Sequence, residues 1–148
     1  MLKQKNRTVL VVVFLLLAAA GAALAWWFRP SPLLDGAEAY RVYYARAYEG
    51  GTSADHDIDV TELLDQEAAL DVLGRCQRKR SVDRMGSYPV EEGMILLGVC
   101  YEEGPWRWHI VAAPGHAFAY TGHSSTKWDI CDGDKLWQEL SALLPLET

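Results

Sequence analysis

Five cations fall within ten positions, Arg75, Arg78, Lys79, Arg80 and Arg84, opposed there by Asp83 alone. Cations near a helix C-terminus complement its dipole, and two or three suffice for that purpose. Five are a surplus, and they suit an anion or an acidic partner. Trp106 and Trp108 share one strand face by parity and could stack on a sugar or peptide, or form the core face under a helix. These seven residues are the candidate partner-binding site.

Other residues with chemical potential carry less. Cys100 and His109 lie on facing strands of an expected hairpin, where a nucleophile pair would need hydrogen-bond reach and a third, orienting group. Asp55-His56-Asp57-x-Asp59 invites a cation. In an extended strand, however, its carboxylates stand about 7 Å apart, and the EF-hand positions for Gly and Glu hold Val60 and Gln66. His116 and His123 are seven residues apart, so one strand would put them on opposite faces. His123-Ser124-Ser125 lacks a G-x-S-x-G elbow. Cys76, Cys100 and Cys131 show no C-x-x-C spacing, and three is an odd number for disulfides. The sequence contains no catalytic, metal or cofactor motif.

The elements that would position these residues begin with an apolar run. Thr8 to Phe28, TVLVVVFLLLAAAGAALAWWF, holds no charge and as a helix spans about 31 Å, the thickness of a bilayer core. Lys3, Lys5 and Arg7 precede it, so the positive-inside bias puts the N-terminus in the cytoplasm and the rest of the chain outside. Trp26, Trp27 and Phe28 stand where an interfacial aromatic belt belongs. The competing expectation is a signal peptide cleaved after Ala23-Leu24-Ala25. The apolar run is longer than a usual h-region and continues into Trp-Trp-Phe, which favours an uncleaved anchor.

The chain thus divides into a cytoplasmic stub and anchor over 1–29, a stiff linker over 30–38 and an extracytoplasmic domain over 39–148. The first 29 residues hold four of the 14 basic side chains and none of the 20 acidic ones, which leaves the remaining 119 residues at a net charge of −10. That balance excludes a general nucleic-acid binder, and about 120 residues suffice for one core.

Within the domain, Tyr40, Val42, Tyr44 and Tyr48 fall on one face of a strand over Ala39 to Tyr48. Ile58 to Val60 reads as a short strand. Thr61 reads as an N-cap, followed by an amphipathic helix to about Lys79 with Leu63, Ala69, Leu70, Val72, Leu73 and Cys76 on its apolar stripe. Met94 to Tyr101 and Trp106 to Ala113 predict a hairpin. Phe118 to Thr121 and Trp128 to Cys131 predict short strands, and Lys135 to Leu144 a last helix. The expectation is an α+β fold, a transmembrane helix followed by a small two-layer domain with two helices on a mostly antiparallel sheet.

The functional expectation is a membrane-anchored extracytoplasmic binding module whose partner is a protein or an anionic envelope polymer. The alternatives are a small envelope enzyme using Cys100 with His109, and a structural accessory subunit of a membrane complex.

Overall fold

The computed structural model describes residues 2–36, 39–49, 57–102, 107–122 and 124–144. Trp106, Asp55, His56 and His123 lie outside the described residues. The described chain is α+β, with three helices and an eight-stranded antiparallel sheet.

Helix α1 (Leu2–Trp27) is long and apolar enough over Asn6–Trp27 to cross a membrane, and none of that stretch is buried against the rest of the chain. The strands are β1 (Ser31–Pro32), β2 (Tyr40–Tyr48), β3 (Asp57–Asp59), β4 (Gln77–Arg84), β5 (Ile95–Tyr101), β6 (Arg107–Ala113), β7 (His116–Thr121) and β8 (Thr126–Ile130). Their lateral order is β1-β4-β8-β7-β6-β5-β2-β3. Helix α2 (Gln66–Arg75) precedes β4 and helix α3 (Gly133–Ala142) follows β8.

The hairpin arms pair where the two β-prone apolar runs place them, with Ile95 opposite Ala112 and Val99 opposite Trp108. One parity of the central strands, including Val42, Leu97, Ile110 and Ala119, joins Leu73, Leu136 and Leu140 of the helices in the main core. The other parity contributes Tyr48, Val111, Ala113 and Phe118 to a second cluster, packed with Met94 and partly buried Met85, Tyr88 and Val90.

Four expectations change. The helix expected over Thr61 to Lys79 is shorter at both ends. Asp65 caps it, its carboxylate accepting from the Ala68 amide at 3.0 Å, while the Thr61 hydroxyl serves Asp59 and the β2 backbone. Cys76 has extended backbone angles (φ −79°, ψ 150°), so the chain leaves the helix at Arg75.

The basic run therefore lies mostly on a strand. Arg78, Lys79, Arg80 and Arg84 belong to β4, and only Arg75 ends a helix. A run of QRKRSVDR has little conventional apolar face. Alternating arginines supply one, because their stems and flat guanidinium groups lie on indole rings.

In β2 the register shifts between Val42 and Tyr44, a bulge that divides the tyrosines expected on one face. Tyr40 packs against the main core while Tyr48 joins the second cluster. Finally, the segment expected as a linker contributes to the domain. Ser31 and Pro32 pair with Arg78 and Gln77, the Leu33 amide donates to the Cys76 carbonyl at 2.9 Å, and Leu33 and Leu34 are buried.

Candidate functional site

On the sheet face shared with α2 and α3, the helices leave the β4–β8 end open. Arg78 stands opposite Ile130, and Arg80 stands opposite Trp128. Strand β7 offers this face only Ala117, Ala119 and Thr121, small side chains that leave a trough between the larger ones.

Stacked rings and cations fill the walls. The Arg78 guanidinium lies 4.4 Å from the Trp108 ring and 4.5 Å from the Trp128 ring, so two indoles hold it. Arg80 lies 5.3 Å from Trp128 and 4.0 Å from Trp27. The result is a ladder, Trp108–Arg78–Trp128–Arg80–Trp27, running from the hairpin to the end of α1. Each such contact contributes about 0.5–2 kcal/mol, the larger values where the cation is desolvated.

The trough beside the ladder has a volume of about 480 Å³, within the range of small-ligand sites. Thr121, Ser124 and Thr126 offer hydroxyls, and Leu33, Asp35 and Tyr40 close the other side. Arg78 Nε donates to the Pro32 carbonyl at 3.0 Å. Among the described residues its terminal nitrogens have no hydrogen-bond partner, and none of Arg78, Lys79, Arg80 and Arg84 has an ion-pair partner. Burial lowers Arg78's pKa, while Asp35 and the Tyr40 phenol act in the opposite direction. Burial also raises the Tyr40 phenol.

The expected patch is thus only partly assembled. Arg78 and Arg80 meet in the trough. Lys79 stands opposite Asp129, on the other side of the sheet, and Arg84 stands opposite Thr126 past a register irregularity. Arg75 is committed elsewhere, 3.5 Å from Asp71 and 3.3 Å from Glu139. Trp108 is only 7% exposed and serves both core and ladder. Trp27, Trp128 and the hydroxyls of Thr121, Ser124 and Thr126 were not evident from local spacing. Parity within Thr126-Lys127-Trp128 is the one signal that could have grouped any of them.

The Cys100–His109 alternative has one point in its favour and two against. Gly98 stands opposite His109, which puts Cys100 on the same sheet face. The Cys100 sulfur accepts from Arg41 Nε at 3.4 Å, and His109 Nδ1 is 2.7 Å from the Tyr44 hydroxyl. Each is engaged with a different neighbour.

The acidic cluster is also occupied where it is described. Asp57 pairs with Arg46 at 2.6 Å, and Asp59 accepts from the Thr61 hydroxyl at 2.6 Å. Among the described residues, no three histidine, cysteine or carboxylate side chains gather as a metal site requires. Neither protein-family models, nor curated proteins, nor solved structures yield a match to the chain.

Proposed function

We propose that the chain is a membrane-anchored, extracytoplasmic binding module whose Arg78 trough takes an anionic segment of an envelope polymer. One observation carries this reading. Arg78 is fixed between two indoles with its terminal donors open to a trough edged by three hydroxyl groups. A guanidinium with its rotamer already ordered spends less entropy on binding a carboxylate or phosphate. The indole edges and hydroxyls suit the sugar or polyol units between such charges.

The retained anchor is supported by the continuity of α1 through Ala25 to Trp27 and by the stacking of Trp27 on Arg80. The charge asymmetry about the apolar run supports a domain outside the cytoplasm. A two-layer arrangement, with both helices on one face, fits the core that α2 and α3 share with one parity of the sheet.

The test is a titration of the full chain in neutral detergent with a glycerol-phosphate polymer. Arg78→Gln should weaken binding by about tenfold or more, the value of one charge-assisted contact, and salt near 1 M should weaken wild-type binding. Equal binding by wild type and an Arg78→Gln variant of unchanged fold sinks the reading.

A further inference from the structure

The cleft between the aromatic end of α1 and strand β4 has a different character from the trough; it shares Arg80 with it and adds Arg29 and Arg84, which the trough does not use. Two adjoining cavities occupy it, of about 230 Å³ and about 470 Å³, and both are lined by Trp27 and Arg80. Arg29 borders the first and Arg84 the second. Among the described residues, Asp83 is the only carboxylate lining either. Arg29 lies 5.3 Å from the Trp26 ring, and Arg80 lies 4.0 Å from the Trp27 ring. Val82, in the same lining, is 84% exposed.

We propose that this cleft seats the phosphate headgroup of an anionic membrane lipid. This rests on the reading that α1 stays in the bilayer. Tryptophans at the end of a membrane-spanning helix lie at headgroup depth. Arg80 touches Trp27, so it lies at the depth of the lipid phosphates. Arg80 lines both cavities, with Arg29 beside it in the smaller and Arg84 beside it in the larger, so each cavity presents two guanidinium forks to a phosphate.

The apolar parts of the lining discriminate between sources of phosphate. The exposed indoles of Trp26 and Trp27 and the side chain of Val82 would stay wet around a free anion. A lipid's glycerol and upper acyl region covers them. Residues 30–148 carry a net charge of −10, so an anionic leaflet repels the domain as a whole, and the cleft beside the bilayer is a cationic exception. The cleft therefore also sets which side of the sheet faces the membrane.

The test uses the full chain in neutral detergent, its intact mass measured first so that retention of residues 1–29 is known before any lipid is added. Short-chain phosphatidylglycerol, short-chain phosphatidylcholine and inorganic phosphate are titrated separately, and bound lipid is counted by native mass spectrometry. Phosphatidylglycerol should bind at least about fivefold more tightly than phosphatidylcholine, and an Arg80→Gln/Arg84→Gln double variant should lose about tenfold.

Arg84→Gln alone, which leaves the ladder intact, should lose about threefold with an unchanged melting temperature. Lys79→Gln, on the opposite side of the sheet, should bind as wild type does. Equal binding of the two lipids, or no loss in either arginine variant, overturns the proposal. Displacement of phosphatidylglycerol by an equal concentration of inorganic phosphate also overturns it, in favour of a free-anion site. The trough is read separately through Arg78→Gln and the glycerol-phosphate polymer, since Arg78 lines the trough and neither cleft cavity, so failure of one site is distinguishable from failure of the other.

Discussion

The Tyr44 hydroxyl lies 2.7 Å from His109 Nδ1. Burial raises Tyr44's pKa, so the phenol keeps its proton and hydrogen-bonds the neutral imidazole, the donor being set by the ring's tautomer. Burial, and then the Arg107 guanidinium, hold His109 below the ordinary imidazole value. Tyr120 stacks on the same ring, with centroids 4.9 Å apart.

That pair has a pH signature. The unfolded chain takes up the His109 proton at a higher pH than the native chain does. The stability contributed by the neutral imidazole is complete above about pH 6.5 and is lost as pH falls below it. Thermal unfolding should show a melting temperature that drops between about pH 7.5 and about pH 5.5. His109→Gln should flatten that slope, and an unchanged slope would remove His109 as its cause.

Gly98 should be intolerant of substitution. It stands opposite the β2 bulge, and a Cβ there would overlap the rings of Tyr44 and Tyr43. Gly98→Ala is expected to cost about 1–3 kcal/mol through overpacking. Urea unfolding checks this, and a loss below about 0.5 kcal/mol would mean the rings move aside easily.

Leu33 should behave as a core residue. It is 1% exposed, and its backbone is tied to Cys76. Leu33→Ala should cost about 2–5 kcal/mol. A fragment of residues 30–148 should unfold cooperatively on heating, while one of residues 39–148, lacking β1 and both leucines, should be clearly less stable. Equal melting temperatures for the two fragments would return residues 31–36 to the status of a tether.

Cys76 should be a slow thiol. Burial first, and then the Glu139 charge, push its pKa up to about 11, and its sulfur donates to the Val72 carbonyl at 3.3 Å. At pH 8 its alkylation should run about 100-fold slower than that of a free cysteine, as only about a thousandth is thiolate. Peptide mass spectrometry after timed iodoacetamide treatment reads the rate. Labelling of Cys76 at the free-thiol rate would contradict the packed environment.

The parts of the fold legible in the sequence were those fixed by local runs and periodicity. The hairpin arms Ile95–Tyr101 and Arg107–Ala113 are one case, since each is a short β-prone apolar run. The last helix is another, although it starts at Gly133 rather than Lys135 because Asp132 takes a left-handed conformation (φ 55°) that ends β8's exit turn. The bulge at Tyr43 was not legible, because one extra residue changes parity without changing composition.

The site was half visible. The excess of cations stood out, but their element did not, because arginine stems do not register as an apolar strand face. Arg78 acquires its partners Trp108 and Trp128 thirty and fifty residues later in the chain, and Arg80 meets Trp27 fifty-three residues earlier. No periodicity within one segment encodes such pairings. Arg75, adjacent in sequence, was drawn instead to Asp71 and Glu139 by its place on α2.

Three residues, Phe28, Arg29 and Pro30, separate the end of α1 from the first residue of β1. Fully extended, they reach about 10 Å. With α1 in a bilayer, the domain is held against the lipid surface and cannot swing far from it. On the proposed binding function, its search for a partner would be two-dimensional, carried by lateral diffusion of the anchor. Ligands that reach the membrane plane are met at high local concentration, and those fixed farther out are not met at all.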